Sequence, residues 1–319
     1  MDYSPIFIVC WWPSNEREVS LRGAQFVSAQ LKSVNVAHSF VEVTSDLHFI
    51  LDEREIPFFS LLSEIHKHNG VIYPIMHGAY GEDGIFASLC EAMSVPILCS
   101  SSTALALMMD KDATKQKLQS AGIWVPFGLR GTISEIQEEL WTMEELQFPL
   151  ILKPNDEGSS QDLFLIDNLE DLSAAFKNIA DDREFLLEEY ISGREFSVGV
   201  VLYDGKYIAL PPTEIILTKT KLFDYEAKYN VGGCLEVTPA ECSPDILRSL
   251  QETALKSHHT CGANYISRTD MILDDNWEIV VLEINAIPGM TETSFIPAQL
   301  KSAGITVADL MKWWIEHRE

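Results

Sequence analysis

Between Arg268 and Asn285 the chain reads R-T-D-M-I-L-D-D-N-W-E-I-V-V-L-E-I-N, a stretch that leaves the backbone few choices. Two short apolar runs, Met271 to Leu273 and Ile279 to Leu282, flank the turn formers Asp274, Asp275 and Asn276, and this predicts a β-hairpin. Asp270 then lies on one strand, while Glu283 and Asn285, two residues apart, share a face of the other. Two carboxylates and an amide converge, with Arg268 two residues before the first. Oxygen-only sites of this kind suit magnesium or manganese held together with substrate phosphates. The plainer reading is a solvated hairpin decorated with acids. Glu283 and Asn285 sit inside an apolar run, however, where an unpaired carboxylate is costly to bury. The expectation is a metal site.

At 319 residues the chain is long enough for more than one core, and its 46% hydrophobic and 22% charged content is that of an ordinary globular protein. No apolar run approaches a membrane span and no basic-then-apolar leader opens the sequence, so neither membrane nor export is expected. The default location is the cytoplasm. A net charge of -25 argues against nucleic acid as a partner, because no basic surplus is available to neutralise phosphates. The six cysteines contain no C-x-x-C, which points to buried thiols rather than a zinc site or a disulfide framework. His258 and His259 are adjacent and cannot share a metal as an i, i+4 pair can, so they are read as surface or satisfied histidines.

Strand-like runs at Ile6 to Val9, Val41 to Val43, Val71 to Ile75 and Val95 to Leu98 alternate with helical patterns, which predicts a parallel sheet flanked by helices over residues 1–100. A helix is expected from about Ala104 to Ser120, stopped by Gly122 and Pro126. A small α+β lobe follows over residues 101–190, with strands near Leu150 to Lys153, Leu163 to Ile166 and Phe185 to Glu188. Longer strands over residues 191–319 form a larger lobe that ends in a helix near Val307 to Ile315, packed through Trp313 and Trp314.

Several loops carry chemistry. Lys153 to Ser160 reads K-P-N-D-E-G-S-S: a strand delivers Lys153, and a glycine with Ser159 and Ser160 can cradle a phosphate, although a plain turn has the same composition. It is not a Walker A loop. Lys111 lies near a helix start, where a cation is electrostatically unfavoured; a functional lysine and a surface lysine both remain open. Phe185 to Ile191 can offer extended backbone to a purine edge, with Glu195 placed for ribose hydroxyls, or can be an ordinary strand end. Asn15 and Glu18 fit a capping box, and Glu16 follows the first strand, where open α/β sheets bind ligands. His77, in M-H-G-A-Y-G-E-D-G, reads most simply as a solvated loop histidine. Phe223 to Tyr229 is polar and aromatic, as a lid would be.

Taken together these segments resemble the D-alanine–D-alanine ligases of the ATP-grasp superfamily. The motifs E-R-E-V-S, H-G-x-x-G-E-D-G, M-D-K, K-P-x-x-E-G-S-S, S-G-x-E-F, D-Y-E-A-K-Y, R-x-D, L-E-x-N and P-G-M-T occur in order from Ile6 to about Leu310. The resemblance implies an α/β ATP-grasp fold of three lobes: an N-terminal Rossmann-like parallel sheet and two α+β lobes clasping ATP. It implies phosphorylation of a first D-alanine and attack by the amine of a second. Lys111, Lys153 and Ser160 would contact the nucleotide. Glu188, with the backbone at Glu189 and Ile191, would take the adenine edge, and Glu195 the ribose. Asp270, Glu283 and Asn285 would hold two Mg2+ or Mn2+ ions, while Arg268 and the Gly289 amide stabilise an oxyanion. Glu16, Ser159 and Tyr229 would tie a lid over the first substrate near His77. Lys228 and Ser294, beside Phe295, would meet the second.

The departures lie close to substrate. Trp11 and Trp12 stand where the family usually has glycines, Gln161-Asp162 replaces V-G after the phosphate loop, and Phe295 replaces a leucine. Two alternatives follow: another ATP-grasp carboxylate–amine ligase making a different dipeptide or depsipeptide, and a catalytically dead nucleotide-binding module. The intact Arg268, Asp270, Glu283 and Asn285 argue against the second. Small amino acids are the expected partners, and a homodimer is left open.

Overall fold

The computed structural model describes residues 5–11, 17–44, 46, 48–51, 53–142, 146–158, 162–179, 182–218 and 233–318. In the first sheet, β1 (Ile6–Trp11) lies between β2 (His38–Val43) and β5 (Val71–Ile75), parallel to both. Every residue of β5 is buried, as expected of a parallel strand covered on both faces. One face is covered by α1 (Arg17–Ser33), whose buried Ser20, Gly23, Ala24, Val27 and Leu31 recur at helical spacing. Two short antiparallel strands, β3 (Phe49–Leu51) and β4 (Arg54–Ile56), extend the edge beyond β2, so the sheet is mixed rather than wholly parallel. Val95 to Leu98 forms no strand. It makes a single parallel bridge, Ile72 with Ile97, and Pro96 lacks the N–H that would continue a ladder.

After α2 (Phe58–Lys67) and α3 (Ile85–Ala92), the expected single helix is divided into α4 (Ser102–Met109) and α5 (Lys111–Ser120). The break is Asp110. Its backbone is extended (φ -79°, ψ 102°), and its side chain accepts the Ala113 amide at 2.9 Å as an N-cap. Leu105, Met108 and Leu118 from these helices pack into the core under the C-terminal sheet, with Phe196, Val198 and Val281.

The second sheet, β6 (Gly128–Gly131), β9 (Phe185–Glu189), β7 (Leu150–Pro154) and β8 (Phe164–Ile166) in that order, is antiparallel. Helices α6 (Ile133–Leu140) and α7 (Leu169–Asn178) bury Ile136, Leu172 and Phe176 in its core. The third sheet is the largest, built on the long β10 (Gly193–Tyr203) between β12 (Thr213–Leu217) and β14 (Ile266–Asp274). β11 (Lys206–Ala209) pairs with β10, β13 (Cys234–Val237) lies outside β12, and β15 (Ile279–Asn285) outside β14. One face carries α8 (Pro244–Thr260). The closing helices α9 (Phe295–Ser302) and α10 (Val307–Glu316) join this sheet to the first. Trp314 is fully buried there, with its indole N–H donating to the Leu202 carbonyl at 2.6 Å. Among the described residues no helix is long and apolar enough to cross a membrane.

His258 is wholly buried, not a surface residue: its Nδ1 meets Ser267 Oγ at 2.7 Å. Cys10, Cys90, Cys99 and Cys261 are buried free thiols, Cys234 and Cys242 partly exposed ones.

Candidate active site

The predicted hairpin forms, and its register sets the site. β14 and β15 pair Arg268 with Asn285 and Asp270 with Glu283, then shift by one residue so that Met271 faces Val281. Leu282 is the extra residue of a β-bulge. Such a bulge reverses which face the following side chains take. Val281 therefore turns into the core, while Leu282 joins Glu283 in lining a cleft of about 410 Å³ between the second and third sheets. Ile151 and Leu163 form one apolar wall of this cleft, and Ile216, Ile272 and Leu282 the other. The backbone from Glu189 to Ile191 crosses its rim, and Glu195 on β10 also lines it. An apolar slot with polar backbone at one edge suits a flat heteroaromatic ring.

Lys111 and Lys153 reach into the same cleft. Lys111 is the first residue of α5, and Asn155 puts it there. The Asn155 carbonyl accepts the Lys111 amide at 3.2 Å, its side-chain oxygen accepts the Asp112 amide at 3.0 Å, and its Nδ2 donates to Asp110 at 3.1 Å. The Lys111 ammonium donates to the Glu157 carbonyl, and burial pulls its pKa down despite the nearby Glu283 charge. Lys153, on β7, lies 2.9 Å from Glu188 Oε2. Lys115, which sequence reasoning missed, donates to Glu188 Oε1. Its signal was available: Lys111 and Lys115 are i, i+4 on one helix face. The Glu188 carboxylate thus meets one lysine on each oxygen while still lining the cleft. Burial pushes the Glu188 pKa up, but the charges of Lys153 and Lys115 outweigh it and hold the group below the usual range. Glu189 turns its side chain away to accept the Phe127 amide at 2.9 Å.

At the other end of the cleft, Asp270 accepts from Ser197 Oγ at 2.6 Å, from Arg268 at 3.0 and 2.8 Å, and from Asn285 Nδ2 at 3.0 Å. Asn285 Nδ2 also approaches Glu283 Oε1 at 3.4 Å. Ser197, a second residue missed from sequence, is paired directly with Asp270 across β10 and β14. A half-turn of the Asn285 amide would present its oxygen to the point now occupied by Nδ2, giving three oxygens around one position. That donor set fits a hard divalent cation that keeps water and phosphate in its remaining positions. Burial works against the Arg268 charge, yet Asp270, Glu283 and Glu82 together raise its pKa. Its guanidinium stands 5.6 Å from the centre of the Phe295 ring.

The loop after β15 brings Gly289 and Ser294 together. A Cβ on Gly289 would sit 3.0 Å from Ser294 Oγ, which in turn accepts the Thr291 amide at 3.0 Å. His77 follows β5 and is 6% exposed, so it is a buried residue rather than a solvated one. Its loop is pinned by Glu82, which accepts the Gly78 amide at 2.7 Å, and by Asp83, which accepts the Tyr80 and Ile85 amides. Gly84 (φ 84°) closes it where a Cβ would lie 2.2 Å from the Ser102 carbonyl. Glu16, Ser159, Ser160, Lys228 and Tyr229, with Trp12, Gln161 and the Asn15 cap, lie outside the described residues.

Comparison with known proteins fits this geometry. The family description "D-ala D-ala ligase C-terminus" matches residues 121–316. The chain is 32% identical to a D-alanine–D-alanine ligase of Lawsonia intracellularis, over 95% of this chain and 94% of that one. It is 34% identical to the one of Fusobacterium nucleatum, over 95% of each. Among solved structures, the VanG D-Ala:D-Ser ligase from Enterococcus faecalis superposes with a TM-score of 0.85 at 25% identity, covering 98% of this chain and 99% of that chain. D-alanyl-alanine synthetase A from Vibrio cholerae gives 0.81 at 21% identity and supports the fold. The fold is ATP-grasp, and the chain belongs to the D-alanine–D-alanine ligase family.

Proposed function

We propose that this enzyme joins two D-alanines into D-alanyl-D-alanine for peptidoglycan precursors. ATP would lie in the cleft, and two Mg2+ or Mn2+ ions would be held by Asp270, Glu283 and Asn285. The carrying observation is the convergence of these three ligands with Arg268 at one end of a cleft whose other end is an apolar slot lined by Lys111 and Lys153. Bound ATP supplies the phosphoryl group and the metal offsets its charge. The chain's own groups do the rest. Ile151, Leu163, Ile216, Ile272 and Leu282 sandwich the base, backbone at Glu189 and Ile191 takes its edge, and Glu195 the ribose. Lys111 and Lys153 take phosphate oxygens, and Ser160 keeps the nucleotide role that the family resemblance implies. The first carboxylate displaces ADP from the γ-phosphorus. The second amine then attacks the acyl carbon, phosphate leaves, and the amine loses its proton. Arg268 and the Gly289 amide stabilise the tetrahedral oxyanion that forms on amine attack and collapses as phosphate leaves. His77 would lie near the first substrate, Ser294 and Phe295 near the second. Glu16, Ser159, Tyr229 and Lys228 keep the closing and substrate roles that the family resemblance implies.

The lobes we infer are 1–100, a central unit and a C-terminal unit. Because α4, α5 and the segment to Val125 pack under the third sheet, the central unit is better begun near residue 126 than at 101. We infer a cytoplasmic location, where ATP is available for precursor synthesis. The VanG relative's printed specificity makes D-serine the acceptor to compete against D-alanine. Phosphate release from ATP should require D-alanine and be lost in Glu283→Gln. Release independent of any amino acid would contradict this reading.

A further inference from the structure

Lys115 is 6% exposed and Glu188 3%, so both charges of this pair are buried. Glu188 receives two cations on its two oxygens: Lys115 from α5 on Oε1, and Lys153 from β7 on Oε2 at 2.9 Å. Lys153 and Glu188 line the cleft, whereas Lys115 does not; it approaches the carboxylate from the helix behind. One lysine would neutralise this carboxylate. The second brings another cation to a buried place at a desolvation cost that pairing Glu188 alone does not require.

The second cation has a use if Lys153 must move. A lysine that is the sole partner of a buried carboxylate cannot turn to a ligand without stranding that carboxylate, and the cost of doing so opposes binding. We propose that Lys115 is a positioning residue that keeps Glu188 paired, so that Lys153 can exchange Glu188 for a phosphate oxygen of the nucleotide. This inference rests on reading the cleft as the ATP site. The electrostatics agree: burial and the like charge of Lys153 pull the Lys115 pKa down to about 7, a repulsion relieved when Lys153 departs. Lys111 one turn earlier, bound to the Glu157 carbonyl, is not part of this exchange.

The test is a double-mutant cycle read by calorimetric ADP binding and by steady-state ATP kinetics on the full chain. Lys115→Met is expected to weaken ADP binding and raise the KM for ATP about tenfold, with kcat at saturating ATP changed less than about twofold, since binding and not chemistry is affected. On the Glu188→Gln background the same change should alter affinity by less than about twofold, because no buried carboxylate remains to hold Lys153. Lys115→Arg should restore most of the affinity. If Lys115→Met does not fold, Lys115→Gln keeps a donor to Glu188 without the charge, and weakened binding is again expected. Unchanged ADP affinity in the folded single variant would overturn the proposal. So would a tenfold loss that persists on the Glu188→Gln background, since that marks a packing role. Wild-type protein that binds no ADP would instead sink the ATP reading itself, and the proposal with it.

Discussion

Asp270 is held from three directions: by Ser197 across β10, by Arg268 on its own strand and by Asn285 on β15. Removing Asp270 therefore does two things at once, since it deletes a proposed metal ligand and strands the part-buried Arg268 guanidinium. Glu283 separates the two effects. Glu283→Gln keeps the shape of the site and the Arg268–Asp270 pair, so its melting temperature should stay close to the parent's. Turnover should fall by several kcal/mol of barrier, on the order of a thousandfold, because a ligand that offsets phosphoryl charge is lost. Near-normal turnover at saturating ATP and magnesium would place the metal elsewhere. The convergence of Asp270, Glu283 and Asn285 was legible in sequence, because i, i+2 spacing puts Glu283 and Asn285 on one face of a strand and the hairpin turn brings Asp270 opposite them. Ser197 was not, since its link to Asp270 is a cross-strand register 73 residues apart in sequence. Lys115 was legible in principle, from its i, i+4 relation to Lys111, but nothing local marks its partner Glu188.

The hairpin and most helices follow from period and turn residues, whereas their interruptions do not. The bulge at Leu282 lies within an unbroken apolar run, and nothing in that run says where an extra residue is absorbed. The break at Asp110 has a local signal, an Asp that can cap, but it is fixed by Asn155 on a distant loop. Helix α8 carries a further consequence. Burial against β14, helped by the neighbouring His259, lowers the His258 pKa from 6.5 to about 4. The unfolded chain then takes up a proton below about pH 6.5 while the folded one refuses it until about 4. Stability is full above 6.5 and declines through that window as pH falls, by at most about 3 kcal/mol from this residue. His258→Gln should remove that part of the slope. Parallel melting curves for both proteins between pH 7.5 and 4.5 would show that His258 does not set it.

Across the whole molecule a net charge of -25 surrounds a cleft furnished with Lys111, Lys153 and Arg268, so an anionic nucleotide is met by a few placed cations rather than by the general surface. The three-sheet architecture was legible because each lobe repeats its own strand and helix pattern. The packing of α4 and α5 was not, since they precede the second sheet in sequence yet pack under the third.

The most direct test of the account is the product itself. With ATP, magnesium and D-alanine, mass spectrometry should find D-alanyl-D-alanine, formed with one ADP and one phosphate each, and D-serine or D-lactate should compete poorly as acceptors. A product that is chiefly a mixed dipeptide or a depsipeptide, or turnover with L-amino acids alone, would contradict it.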